Sequence, residues 1–282
     1  MPASVPRPPF ARARVWGSGE SASRLTAAVA ARAARVTEWV GEDDSGVDPA
    51  GVIRIAAPRA AADVDLVLCP AADLVQAIEL HPGALFILVS ESLADAVSAG
   101  GQALERAPGR FLATSHAMVR HSRPAEEPAD EDFVGVTVAL APIAGAPGAA
   151  LAAAERFWLL LGAVPLVIEA AEHDRRMALT DWLPRMCAAA LAGMGAHSIA
   201  PGTPEELLVS PAFLTATATL VEEDAPAIHA AVSHAPLTAP LVRALARELD
   251  TIAGELESPM RAHQLGARIS EARAFRQRFP DA

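Results

Sequence analysis

Residues 13–40 read ARVWGSGESASRLTAAVAARAARVTEWV. A short apolar run, Ala13-Arg14-Val15-Trp16, leads into Gly17-Ser18-Gly19-Glu20-Ser21-Ala22. A helical run follows over 25–34, and Arg35-Val36-Thr37-Glu38-Trp39-Val40 reads as a second strand. Strand, Gly-x-Gly-x-x-Ala, helix, strand is the opening of a doubly wound, dinucleotide-binding α/β fold. Its glycines permit a tight turn and let a phosphate come up to the N–H groups at the helix start. Gly17, Gly19 and Ala22 are therefore candidate cofactor-binding positions. Two outcomes stay open: a working nucleotide site, or a turn that has outlived its ligand. Glu20 puts a carboxylate into the loop where a pyrophosphate would sit.

The alternation continues outward. Apolar runs at 52–55, 63–70, 84–90, 111–118 and 135–142 read as strands, and 71–80 and 149–161 as helices, with a Gly/Pro/Ala-rich link at 143–148 and a further strand at 162–168. Residues 1–12, with four prolines, read as a loosely attached arm. The acidic run EEPADED at 126–132 reads as an exposed loop. His116 lies at the end of the 111–118 strand, the edge at which doubly wound sheets bind ligands. It is either a general base there or a histidine that satisfies a strand end. Arg120 and Arg123 just beyond it are either bidentate carboxylate ligands or solvated loop charges.

Residues 170–194, AAEHDRRMALTDWLPRMCAAALAGM, open the second half. Met177, Leu179, Leu183, Met186, Ala189 and Leu191 recur at helical spacing, and the Leu183-Pro184 step predicts a kink. This apolar segment carries two ionisable pairs, His173-Asp174 and Asp181 with Arg185 one turn on. Charge on a buried helix is paired or used.

This stretch resembles the signature helix of the prephenate and arogenate dehydrogenase family: His-Asp, an Ala, then Ser-His-Leu-Pro-His and an Ala-rich run. His173, Asp174, Ala178, Leu183, Pro184 and Ala188-Ala189-Ala190-Leu191 match, while Asp181, Trp182 and Arg185 replace the Ser and the two His. The 63–70 strand, ending at Pro70, is similar to the strand that ends beside the nicotinamide in that family. The segment 111–118 resembles its Gly-Gly-His-Pro-Met, with His116 on the catalytic His. Several positions depart from the pattern. The ribose-binding acid falls on Val40, leaving Glu38 or Glu42 to substitute. The Asp-x-x-Ser-x-Lys turn near the substrate survives only as Ser90, Glu91 and Ser92. A carboxylate-binding Arg falls on Ala218. The resemblance implies a Rossmann-like doubly wound domain over 13–169, then an all-α domain over 170–282 that dimerises. It also implies NAD or NADP as cofactor and Pro70 beside it. His116, His173 and Asp181 are the implied acid–base groups, and Ser90, Ser92, Arg120 and Arg185 the implied substrate ligands.

Composition narrows the chemistry. All 23 basic residues are Arg, and there is no Lys, Asn or Tyr. Schiff-base and pyridoxal phosphate chemistry, P-loops and Tyr-Lys dehydrogenase dyads are thereby excluded. Two distant cysteines give no disulfide framework or metal pattern, and no metal site is expected. A net charge of −11 argues against nucleic acid and anionic membranes as partners. The absence of a signal-peptide core or a membrane-length apolar run makes a cytoplasmic enzyme the plain reading. The resemblance implies a dehydrogenase acting on a prephenate-like or other carboxylated cyclic substrate, with His116 as base. The substituted positions keep a second reading open, a redox-neutral isomerase, cyclase or lyase on the same scaffold. Over 237–257, Leu241, Leu245, Leu249, Ile252 and Leu256 form one helical stripe of the kind used for cores or subunit contacts.

Overall fold

The computed structural model describes residues 10–40, 52–55, 62–68, 72–118, 132–200, 202–220 and 232–279. The chain divides into two compact units, Met1–Arg176 and Met177–Ala282.

The first unit is built on eight strands: β1 (Phe10–Trp16), β2 (Ala34–Val40), β3 (Val52–Arg54), β4 (Val64–Leu68), β5 (Leu85–Val89), β6 (Phe111–Ala117), β7 (Thr137–Ala141) and β8 (Val164–Val167). They lie in the order β3-β2-β1-β4-β5-β6-β7-β8. Pairing is parallel except between β6 and β7, so β7 and β8 run against the other six. The first six strands have the Rossmann order 3-2-1-4-5-6, whose switch point lies between β1 and β4. Helices α1 (Gly19–Arg32), α2 (Ala72–Leu80), α3 (Leu93–Arg106) and α4 (Gly148–Leu160) cover it. Leu25, Ala28 and Val29 of α1 and Phe157 and Trp158 of α4 share one buried cluster with Val15, Leu66 and Ile87. Leu74 and Ile78 of α2 and Ala96, Ala103 and Leu104 of α3 share another with Trp16, Phe86 and Leu88. Both faces are therefore buried, which is why these strands read as near-continuous apolar runs.

β1 begins at Phe10, so residues 10–12 belong to the sheet and not to an arm. Phe10 is buried against the Phe157 ring, and the Ala11 and Arg12 N–H groups donate to Asp63 Oδ2 at 2.7 and 3.2 Å. A charged row crosses the centre of the sheet. Arg14 on β1 is in register with Glu38 on β2 and Asp65 on β4, and all three are buried. Arg14 donates through Nε and Nη2 to Glu38 Oε2 at 2.9 and 2.6 Å. Trp16 Nε1 donates to Asp65 Oδ1 at 2.7 Å, and Nδ1 of buried His81 lies 3.1 Å from Asp65 Oδ2.

After β8 the chain enters α5 (Ala170–Met177), and the division between units falls near its end. Most of α5 thus belongs to the first unit, where Ile168 and Ala170 pack with Leu93, Val97, Ala139 and Ala141. The second unit opens with a π-helical turn, Ala178–Trp182, and α6 (Leu183–Ser198). The π-helical turn falls just before the Leu183-Pro184 step, where the sequence predicts a kink. Pro184 has no N–H to donate, and the ladder widens just before it, with Leu183 N–H reaching back to Ala178 O. Then come α7 (Pro211–Ala216), α8 (Ala235–Leu256) and α9 (Ala262–Arg276). The described residues of this unit are helical, and their buried apolar cluster is small: Met177, Ala178 and Trp182, with Leu237 and Leu241 against them. No described helix is long and apolar enough to cross a membrane.

Candidate functional site

Parallel pairing brings the carboxyl ends of β1, β4, β5 and β6 to one edge of the sheet. At the end of β1, Gly17 and Gly19 have φ of +148° and +78°, a region open to glycine and strained for other residues. A Cβ on Gly17 would also come within 3.0 Å of Leu68 Cβ on β4, whereas at Gly19 the space is open to 4 Å. Trp39 Nε1 holds the turn by donating to Gly17 O at 2.7 Å. Ser18 stands at the N-cap of α1 but makes no side-chain cap bond, so it leaves the first N–H groups of that 14-residue helix to another acceptor. Ala22 is buried where α1 meets the sheet. A pyrophosphate fits this cradle: open space at Gly19, a helix start that the Ser18 side chain does not cap, and the positive end of a helix.

The end of β2 differs from what the sequence allowed. Glu38, a candidate for the ribose-binding acid, is buried and tied to Arg14 and Arg12. Its carboxylate belongs to the core and cannot serve a cofactor. Glu42 and Pro70 lie outside the described residues, as does Cys69.

Two strands over from β4, His116 sits near the end of β6, paired with Ala139 of β7. Its Nδ1 lies 3.0 Å from Nε2 of His173 on α5, and the rings meet edge to face at 86°. His173 is buried, and its Nδ1 lies 2.7 Å from Asp174 Oδ1. Asp174 is buried too, yet it is well supplied with donors from the start of α3. Oδ1 accepts from Leu93 N–H at 3.0 Å; Oδ2 accepts from Ala94 N–H at 3.1 Å and Ser92 Oγ–H at 3.0 Å. Burial alone would raise the Asp174 carboxyl, but the hydrogen bond with His173 and those from Ala94, Leu93 and Ser92 more than offset it. The group is held below its ordinary value and stays ionised at neutral pH. A carboxylate on the first turn of a helix is also favoured by the helix dipole.

Ser92, expected as a substrate ligand, is instead the N-cap of α3. Its buried hydroxyl donates to Asp174 and accepts from Asp95 N–H at 3.1 Å. Ser90 is half-buried at the end of β5; its N–H donates to Ser115 O and its Oγ accepts from Ser92 N–H at 3.2 Å. The first unit thus brings together His116, His173 and the Ser90–Ser92 turn, and adds Asp174 and the α3 N-terminus, which the sequence reading did not assign. The signal was available: Ser92-Leu-Ala-Asp95 is a capping pattern ahead of apolar residues at helical spacing.

Neither a sequence-family model nor a curated protein sequence matches the chain. Solved structures do. Prephenate dehydrogenase from A. aeolicus, in complex with hydroxyphenyl propionate and NAD+, superimposes with a TM-score of 0.72 at 13% identity, over 93% of this chain and 98% of that one. Arogenate dehydrogenase from Synechocystis gives 0.64 at 18% identity, over 94% and 99%. The fold is that of the prephenate and arogenate dehydrogenases.

Within this dehydrogenase fold, Asp181 and Arg185 lie in the second unit and pair with each other, Arg185 Nε donating to Oδ1 at 3.3 Å. Arg185 is largely buried, and Asp181 partly so. Trp182, in place of a histidine of the signature helix, is fully buried with its ring 5.2 Å from that of His234. Ala218 opens a short 3₁₀ turn, Ala218–Leu220. Arg120 and Arg123 lie outside the described residues. No cluster of metal-ligating side chains occurs among the described residues.

Proposed function

We propose that the chain is an NAD(P)-dependent dehydrogenase of the prephenate dehydrogenase type, acting on a prephenate-like or other carboxylated cyclic substrate in specialised metabolism. The observation that carries this reading is His116. It is a histidine at the carboxyl edge of β6, on the same sheet edge as the Gly17–Gly19 turn, backed by His173. Base and phosphate cradle share the edge at which doubly wound sheets bind ligands. A bound nicotinamide would supply the hydride acceptor. His116 takes the proton of the ring hydroxyl as the hydride leaves the same carbon and the C–O bond becomes a carbonyl. In a prephenate-like substrate the bond to the ring carboxylate then breaks, CO2 departs, its electron pair completes the aromatic ring, and His116 returns the proton to the phenolic oxygen. Arg120 and Arg185 are the proposed carboxylate ligands. The small buried cluster among the described residues of the second unit, together with exposed Leu249 and Leu256 on α8, supports a homodimer formed through that unit.

The departures at Ala218 and at the Asp181–Arg185 pair favour a second reading, a redox-neutral isomerase, cyclase or lyase using the same histidines. Calorimetric titration of the purified chain with NAD+ and, separately, NADP+ distinguishes them. Micromolar binding, followed by reduced-cofactor formation with cyclohexadienyl carboxylates, is the expected result. A folded protein that binds neither nucleotide would overturn the dehydrogenase reading in favour of the second.

A further inference from the structure

Three hydrogen-bonding groups in line leave little freedom for the protons between them. Asp174 receives Leu93 N–H, Ala94 N–H and Ser92 Oγ–H, all donors, so it faces His173 as an acceptor. The 2.7 Å contact therefore needs a proton on His173 Nδ1. A neutral His173 then presents a lone pair at Nε2, and the 3.0 Å contact with His116 needs a proton on His116 Nδ1. That leaves Nε2 as the basic nitrogen of His116. Free histidine in water prefers the opposite arrangement, with the proton on Nε2, so the tautomer at His116 is imposed by its surroundings. The imposing group is rigid: Asp174 is fastened across the first turn of α3, and Leu93 of that turn is buried against Ala139, the β7 neighbour of His116.

We propose that His173 and Asp174 are the positioning pair for His116, fixing it in the Nδ1–H tautomer so that Nε2 is the nitrogen that takes the substrate's proton. The inference rests on the reading of His116 as general base and adds how that base is made ready. When Nε2 takes a proton, the Nδ1 proton can pass to His173 Nε2. The positive charge then rests on His173, against the Asp174 carboxylate, which stays ionised because α3 holds it so. Proton count is preserved at every stage: one proton enters at His116 Nε2, one shifts between the two imidazoles, and both return when the product oxygen is reprotonated.

The test is nitrogen NMR of the full chain labelled at histidine, with His116→Gln and His173→Leu assigning the two rings. In the wild type, neutral His116 is expected with Nδ1 protonated and Nε2 bare. In Asp174→Asn and in His173→Leu it is expected to revert toward the Nε2–H form. His173→Leu keeps the three α3 donors on Asp174, so it guards against simple loss of the helix cap. With a turned-over substrate, kcat is expected to fall about 10²–10⁴-fold in both variants while cofactor affinity holds. Finding Nε2–H at His116 in the wild type overturns the proposal, as does an unchanged tautomer in both variants. A correct tautomer in a protein that forms no reduced cofactor would instead sink the dehydrogenase reading and leave the positioning pair standing.

Discussion

Buried carboxylates are costly unless their lone pairs are met, and Asp174 shows how one can be kept charged. Its stabilisation has a sign that can be followed with pH. The folded carboxyl titrates below its unfolded value of about 3.9. The stability it contributes is therefore complete above that unfolded value and is lost as pH falls through the folded one. Asp174→Asn should lower unfolding stability by about 2–3 kcal/mol at neutral pH, the scale of hydrogen bonds to a charged group. The gap should close on acidification, as read from denaturant midpoints at a series of pH values. At His116, replacement by Gln should cut turnover about 10²–10⁴-fold and leave nucleotide affinity unchanged. Equal activity would remove its proposed role as base. The place of His116 near a strand end was legible in the sequence, and its proposed role came from the family resemblance. Asp174 was visible only as one of a pair, because its partners at Ser92, Leu93 and Ala94 are about eighty residues away in the chain.

Among the elements, α3 is the most revealing because it carries two adjacent glycines with opposite surroundings. A Cβ on Gly100 would lie 2.6 Å from Ile143 Cδ1 and 3.2 Å from Leu88 Cδ1, whereas one on Gly101 would meet nothing within 4 Å. Gly100→Ala should therefore destabilise by about 1–3 kcal/mol through overpacking, toward the low end if the Ile143 tip can turn away. Gly101→Ala should stabilise by about 0.5–1 kcal/mol, since Ala is the better helix former. Thermal denaturation of the two variants decides between crowding and propensity. The row Glu38-Arg14-Asp65 across β2, β1 and β4 makes a parallel case for strands. Arg14→Met would leave two buried carboxylates short of their shared cation, at a cost of about 3–5 kcal/mol in denaturant unfolding. The sequence marks Arg14 as a charge inside a strand. It does not show that Glu38 is spoken for, since that depends on which strand lies beside β1.

For the whole molecule the contrast between the two units matters most. Met1–Arg176 has two extensive apolar clusters on either side of its sheet. The described residues of Met177–Ala282 have one small cluster, while Leu249 and Leu256 on α8 are 57% and 67% exposed. Side chains of this kind seven residues apart share a helix face, the geometry of a subunit contact. The proposed homodimer predicts that the double variant Leu249→Glu, Leu256→Glu sediments as a monomer where the parent chain sediments as a dimer, with a lower melting temperature. An unchanged dimer would place the contact elsewhere.

Local chemistry and periodicity were enough to read the Gly-x-Gly-x-x-Ala turn and the individual strands of the sheet, because each depends on residues near one another in the chain. They were enough, too, to exclude lysine chemistry, which needs only composition. Tertiary structure decided what distance in the chain conceals: that Phe10 to Arg12 complete β1, that Glu38 is bound to Arg14, and that Ser92 caps α3 for Asp174. Those outcomes depend on strand order and on which backbone N–H groups a fold brings to a carboxylate. Hydrogen bonds between residues far apart in the chain leave no period in the sequence to read.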